Sequence, residues 1–280
     1  MRTQSPDTRP EVEQVLIGLI RKASVAKRFR LVRGNTEQTV KMNRSSFRKS
    51  CPEATKAEVG ADFVKGHFNQ TLAHGVQVAL EHREGSLIPD LFITLTSALE
   101  LFERLTVPYY ITGTLAASIY GMQRVAFQID LVAELHLEHL DSFVESLQAT
   151  YYFDVETIKE AILQRTSFQI IHLDALLLLS ISLPAARVFD QEIARRVQRH
   201  LLVEDDSRVT CFISPEDIVL TQLEEYRDGG SKDDGQYNEI LGVLKVQGRN
   251  LDLLYLQHWA TNLNLAHLLQ EACIDAGLLE

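Results

Sequence analysis

The stretch YYITGTLAASIYGMQRVAFQIDLVAEL, Tyr109–Leu135, decides how this chain is read. It opens on a short β-rich run, passes through a small-residue segment bounded by Gly113 and Gly121, and ends in FQIDLVAEL, which alternates apolar and polar as a strand does. A helix that opens at Gly113-Thr114 directly after a strand can hold phosphate. Glycine allows close backbone approach, the first-turn N–H groups point outward, and Thr114 adds a hydroxyl. A tight turn with a helix cap explains the same two residues equally well. Arg124 fits a phosphate-facing role or a solvated one. Side chains alternate along a strand, so Gln128 and Asp130 share a face. Two carboxylates there would chelate Mg²⁺. A carboxylate and an amide do so poorly, because Mg²⁺ favours hard anionic oxygens.

Upstream, DLFITLTSALELFERL reads as an amphipathic helix, and EHREGSLIPD is the best linker because polarity, Gly85 and Pro89 meet there. Residues before it read as helical. EVEQVLIGLIRKA places Val12, Val15, Leu16, Leu19 and Ile20 on one stripe, which predicts the buried face. SVAKRFRLVR opens with Ser24 as an N-cap and carries Val25, Phe29 and Val32 inward, while NTEQTVKMNRSSFRKS is basic and stops near Pro52. EATKAEVGADFVKGHF and QTLAHGVQVALEHRE are two further helices. Downstream, LEHLDSFVESLQAT returns to helix, FQIIHLDALLLLSIS predicts a strand pair, and VTCFI another strand. SPEDIVLTQLEEY starts a helix with Ser214 as N-cap, Pro215 at the first helical position and Asp217 in the capping-box position. A polar loop, EEYRDGGSKDDG, precedes three more helical segments, in which Tyr255 and Trp259 read as core. His136 and His139 are three apart on a helix and read as surface residues, with no third metal ligand in sight.

The chain has 280 residues, 45% apolar and 24% charged, an ordinary globular balance long enough for two domains. Cys51, Cys211 and Cys273 lie far apart without CxxC spacing, which argues against structural zinc or a disulfide framework and suits a reducing cytoplasm. The opening residues lack the apolar core of a signal peptide, and the longest apolar run is shorter than the roughly 20 residues that span a bilayer, so no membrane association is expected. The net charge of −10 is polarised. Residues 1–85 hold 15 basic and 9 acidic residues and net +6, so the remainder nets −16. Between Arg21 and Lys49 lie ten Lys or Arg and one acid, Glu37. That segment can bind nucleic acid non-specifically or dock on the acidic remainder, though it lacks interleaved aromatics.

The order strand, Gly-Thr, short helix ending in Tyr120-Gly121, Arg124, then QIDLVAEL resembles the nucleotidyltransferase superfamily, with its DNA polymerase beta-like fold. The look is nearest to the bacterial minimal, abortive-infection and toxin-antitoxin types. FDQEIARRVQRH, ISPEDIVLTQLEEYRDGG and QYNEILGVLKVQGRNLDLLYLQHWA extend the resemblance over residues 90–278. It implies Gly113, Thr114 and Arg124 as nucleotide ligands, an NTP and Mg²⁺ as cofactors, and a protein or RNA acceptor. The signature is Gly-Ser, then Asp-x-Asp on a strand, with a third Asp on a neighbouring strand. Thr114 keeps the hydroxyl. Gln128 stands where the first Asp belongs, and Asp130 matches the second. Counting back from Phe189-Asp190 places Ser180 at the third position. Sliding the strand places Asp174 there instead and needs a compensating deletion and insertion. Ser180 is favoured. With Asp130 as the one anionic ligand, the resemblance implies weak or absent metal binding and a pseudoenzyme that binds nucleotide or a partner. An active Mg²⁺-dependent transferase using Asp130 and Asp174 is the alternative, and a nucleic-acid-binding module through 21–49 is a third reading.

The expected architecture is therefore α/β (α+β): a basic helical module over 1–86, an α/β core over 87–212 with a small mixed sheet and flanking helices, and a C-terminal helical extension over 213–280.

Overall fold

The computed structural model describes residues 2–4, 7–204, 208–230 and 234–279. Residues 231–233 of the polar loop lie outside the described residues. The fold is mixed α/β, as expected, and the chain divides into two compact units, each built from separated stretches. One comprises Met1–Val32, Tyr110–Arg124 and Ala186–Glu280; the other comprises Arg33–Tyr109 and Val125–Ala185. The boundary read at residue 86 does not coincide with this division.

In the first unit, strand β1 (Tyr109–Thr112) pairs parallel with β7 (Val209–Phe212), Ile111 opposite Phe212, and β6 (Gln198–Leu201) pairs antiparallel with β7. Helix α6 (Gly113–Tyr120) follows β1 without a loop because Gly113 adopts φ +63°, which makes the turn in one residue. Its end at Gly121 also requires glycine: a Cβ there would lie 2.6 Å from the Val243 nitrogen on α11 (Asp234–Gln247). Helix α10 (Pro215–Asp228) starts as read, with the Ser214 hydroxyl accepting from Asp217 N and donating to Asp217 Oδ2 at 2.6 Å. Tyr255 and Trp259, on α12 (Leu253–Asn262), are half-buried rather than core. Tyr255 Oη donates to Asp217 Oδ1 at 2.6 Å, Arg196 lies 3.7 Å over its ring, and Trp259 leans on Phe189.

Helix α1 (Pro10–Lys22) corrects the stripe read from the sequence. It buries Glu13, Ile17 and Ile20 and leaves Val12, Val15, Leu16 and Leu19 exposed. The inward face is fixed by an ion pair of Glu13 with Lys245 Nζ at 3.1 Å, both side chains 1% exposed, and by Arg21, which donates to the carbonyls of Lys245 and Val246. Polar anchoring by α11 thus outweighs the apolar stripe.

The segments either side of Gly34 form one helix, α2 (Val25–Ser50). Ser24 caps it, accepting from Lys27 N. Glycine inside a helix costs about 1 kcal/mol, but Phe29, Val32, Thr36 and Val40 form an unbroken buried stripe across the interruption.

In the second unit the strand order is β3-β4-β5-β2. Strands β4 (Ser167–His172) and β5 (Leu178–Ser182) form the predicted antiparallel hairpin, β3 (Tyr151–Tyr152) flanks β4, and β5 runs parallel to β2 (Gln128–Ala133). Alternation gives this sheet two unlike faces. Ile129, Leu131, Leu179, Ile181, Phe168 and Ile170 form a fully apolar, buried face. Phe168 there meets Phe143 of α7 (Leu140–Leu147), which stacks on Phe102 of α5 (Leu91–Arg104). The opposite face carries Gln128, Asp130, Ser180, Ser182, Gln169 and Ser167, each partly or fully exposed.

Candidate functional site

The residues singled out on β2 lie on the mixed face of the second unit's sheet, which also carries the buried Leu178 and Ile171. Gln128 and Asp130 project on that face, and the Gln128 amide donates from Nε2 to Asp130 Oδ1 at 2.5 Å. Burial pushes the Asp130 carboxyl up from its ordinary range, and the amide partly offsets this. Ser180 stands directly opposite Asp130 on β5, and Gln169 on β4 stands opposite Ser180. A row of Asp130, Ser180 and Gln169 therefore crosses three strands with one carboxylate in it. Glu134 lies beyond the end of β2, where it pairs with Arg165 at 3.3 Å.

Asp174 is not brought to this row. It sits six positions before Ser180, in the turn joining β4 to β5. Arg83 holds it bidentately, Nε to Oδ1 at 2.9 Å and Nη2 to Oδ2 at 2.8 Å, which keeps the Asp174 carboxyl below the usual carboxylate range. The turn is further set by His172, whose Nδ1 accepts from the backbone of Asp174 and Ala175. Burial lowers the His172 pKa, in keeping with an acceptor nitrogen. Of the two third-position readings, Ser180 is the one the strand register places beside Asp130.

Two metal ions in a transferase site need several anionic oxygens converging on them. The row offers Asp130, one of whose oxygens already accepts the Gln128 amide, together with neutral Ser180 and Gln169. Among the described residues no group of three His, Cys, Asp or Glu converges as a metal site. The residues present do not fit a magnesium pair.

Gly113, Thr114 and Arg124 belong to the first unit. Gly113 opens α6 after Thr112, as the sequence suggested. The Thr114 hydroxyl donates to Glu239 Oε1 at 3.2 Å, and Gln222 Nε2 donates to Glu239 Oε2 at 2.9 Å. Glu239 and Gln222 carried no signal in the sequence, since they come from helices more than 100 residues further on. A carboxylate thus stands against the hydroxyl that a phosphate would use. Arg124 is half-buried in the turn after α6, its backbone N–H donating to Ser118 Oγ. His136 and His139 turn towards each other, His136 N donating to His139 Nδ1 at 3.1 Å.

The basic segment 21–49 is partly consumed by the fold. Arg28 donates to the Ile20, Ala23 and Ile119 carbonyls, Arg44 to those of Leu87 and Ala175, and Arg33 pairs with Asp90. Lys22, Lys27, Arg30, Lys41, Arg48 and Lys49 are exposed, Lys41 being paired with Glu37.

No family model matches the chain, and no curated protein matches it. Solved structures do. The lincomycin-bound lincosamide antibiotic adenylyltransferase LnuA shares 16% identity over 54% of this chain and 95% of its own, with a TM-score of 0.38. The antibiotic-resistance factor ANT(2'')-Ia shares 12% over 64% and 94%, with a TM-score of 0.42. An antigenic nucleotidyltransferase-like protein from Paracoccidioides brasiliensis shares 14% over 64% and 90%, with a TM-score of 0.39. These are likenesses of fold. No helix among the described residues is long and apolar enough to cross a membrane.

Proposed function

We propose that this chain is a nucleotidyltransferase-like protein with a depleted metal site, which binds nucleotide or a macromolecular partner and transfers nucleotide weakly or not at all. The order of elements from β1 to β5 supports the superfamily reading. The observation that carries the depletion is the hydrogen bond from the Gln128 amide to Asp130 at 2.5 Å, with neutral Ser180 as the register partner of Asp130 on β5. Carboxylates at both 128 and 130 would repel without a metal between them. Here Gln128 removes one charge and satisfies the other, so the face is stable without a cation. Titration calorimetry with Mg²⁺ and NTP tests this. The expected result is weak binding by the natural chain and tighter, metal-dependent binding by Gln128→Asp. Tight Mg²⁺-dependent binding by the natural chain, unchanged by the substitution, contradicts it.

The active-transferase reading needs Asp174 as a second ligand and therefore needs its bidentate pair with Arg83 to break and the hairpin register to change. The nucleic-acid reading through 21–49 is weakened by the arginines that the fold turns inward. It rests on the exposed cations that remain, and salt-dependent anisotropy with labelled RNA and DNA measures it.

A further inference from the structure

Helix α1 turns Glu13, Ile17 and Ile20 inward and leaves a second apolar side outside. Glu13 is buried against Lys245, whereas Val12, Val15, Leu16 and Leu19 are 57%, 64%, 41% and 61% exposed. These four recur at helical spacing and form one strip. A contiguous apolar strip of this kind marks an interaction surface rather than scattered surface apolarity. The structure gives no other role to it, since α1 is already anchored through Glu13, Ile17, Ile20 and Arg21.

The charges bordering the strip identify the occupant. Glu11 in the first turn and Lys22 in the last are both exposed. Eleven positions at 100° each bring them within about 20° of one another around the helix, on the same flank of the strip. In an antiparallel helix pair each flank meets the same flank of its neighbour, so Glu11 of one helix faces Lys22 of the other, twice across a two-fold axis. In a parallel pair this flank would instead face the opposite flank, where Glu13 and Ile20 are buried against the rest of the chain. Gly18 lies on this flank too, and a Cβ added there meets nothing within 4 Å, so the flank is open to close approach. The exposed flank is self-complementary in charge when the two helices run antiparallel.

We propose that the exposed face of α1 is a homodimer interface, formed by antiparallel pairing of Val12, Val15, Leu16 and Leu19 with the same residues of a second copy. It does not depend on the nucleotidyltransferase reading. The strip is small beside the roughly 1,600 Å² of a standard interface, so the dimer assembles with rising concentration.

Sedimentation equilibrium of the full chain across the micromolar to millimolar range tests it. The natural chain is expected to pass from monomer to dimer. Val15→Lys with Leu19→Lys should weaken association by at least about a hundredfold, because each substitution counts on both sides of the axis. Both positions are exposed, so the unfolding midpoint should stay put. Glu11→Lys or Lys22→Glu alone should weaken the dimer a few-fold, and the two together should restore it. A chain that stays monomeric throughout overturns the proposal. So does a dimer that survives the double lysine variant, or a charge swap that fails to rescue.

Discussion

Replacing Gln128 by Asp perturbs the site at its decisive atom. The amide that donates to Asp130 at 2.5 Å is lost, and a second carboxylate appears on the same face two residues away. Residues i and i+2 of a strand are about 6.6 Å apart, and at an effective dielectric of 20 two carboxylates about 6 Å apart repel by ~3 kcal/mol. Losing a hydrogen bond to a charged group adds about 1.5 kcal/mol. The variant should therefore unfold some 4 to 5 kcal/mol more easily at neutral pH in the presence of a chelator. The sign of its pH dependence follows from Asp130. Its carboxyl is raised in the folded state by burial, and the new neighbour raises it further. A raised folded pKa means the folded state holds protons the unfolded chain has released. The variant is thus nearest the natural chain below the unfolded carboxylate pKa, and falls behind as pH rises through the folded value. Magnesium should recover roughly half of the loss, since a cation at a hundred times its dissociation constant returns about 2.7 kcal/mol. Urea unfolding with chelator and with Mg²⁺, at mildly acid and neutral pH, measures all three effects. Gln128→Asn should show none of the magnesium response. A Gln128→Asp chain as stable as the natural one at neutral pH and indifferent to Mg²⁺ refutes the reasoning.

Lys245→Met leaves the Glu13 carboxylate buried without its cation and should cost about 3 to 5 kcal/mol, whereas Glu13→Leu with Lys245→Met should recover most of it in the same denaturation assay. Arg83→Met should lower stability by about 1 kcal/mol at neutral pH. Because Asp174 is depressed in the folded state, that contribution is present above the unfolded carboxylate pKa and fades as pH falls through the folded one, so the variant and natural chains should converge in acid. Limited proteolysis between residues 82 and 90 should nick the chain without releasing a folded fragment. Arg44 donates to Leu87 and Ala175, Thr36 accepts from Ala126, and Arg83 holds Asp174 across the cut. A stable fragment beginning near 87 would instead support a separable module over 1–86.

Features set by near neighbours were legible in the sequence. The alternation of FQIDLVAEL, the strand pair, the Gly113 junction and the Ser214 cap each depend on residues within a few positions, and each is present. What escaped was set by distant partners. Periodicity showed that α1 has an apolar stripe, but the side that turns inward is chosen by Lys245, 232 residues away. Gly34 stands between SVAKRFRLVR and NTEQTVKMNRSSFRKS, yet Val32, Thr36 and Val40 hold one helix through it. The Arg83 clasp on Asp174 and the Glu239 partner of Thr114 are 91 and 125 residues apart in sequence. Helix α8 (Val155–Gln164) opens on a local signal, Asp154 capping it by accepting from Thr157 N, whereas the two-residue β3 is too short to carry a pattern.

Asp130 is the lone carboxylate of its row and accepts the Gln128 amide. Incubating the natural chain with radioactive NTP, Mg²⁺ and protein or RNA acceptors tests this most directly. The expected outcome is no labelling above that of Asp130→Ala. Strong labelling by the natural chain, abolished by Asp130→Ala, would contradict it.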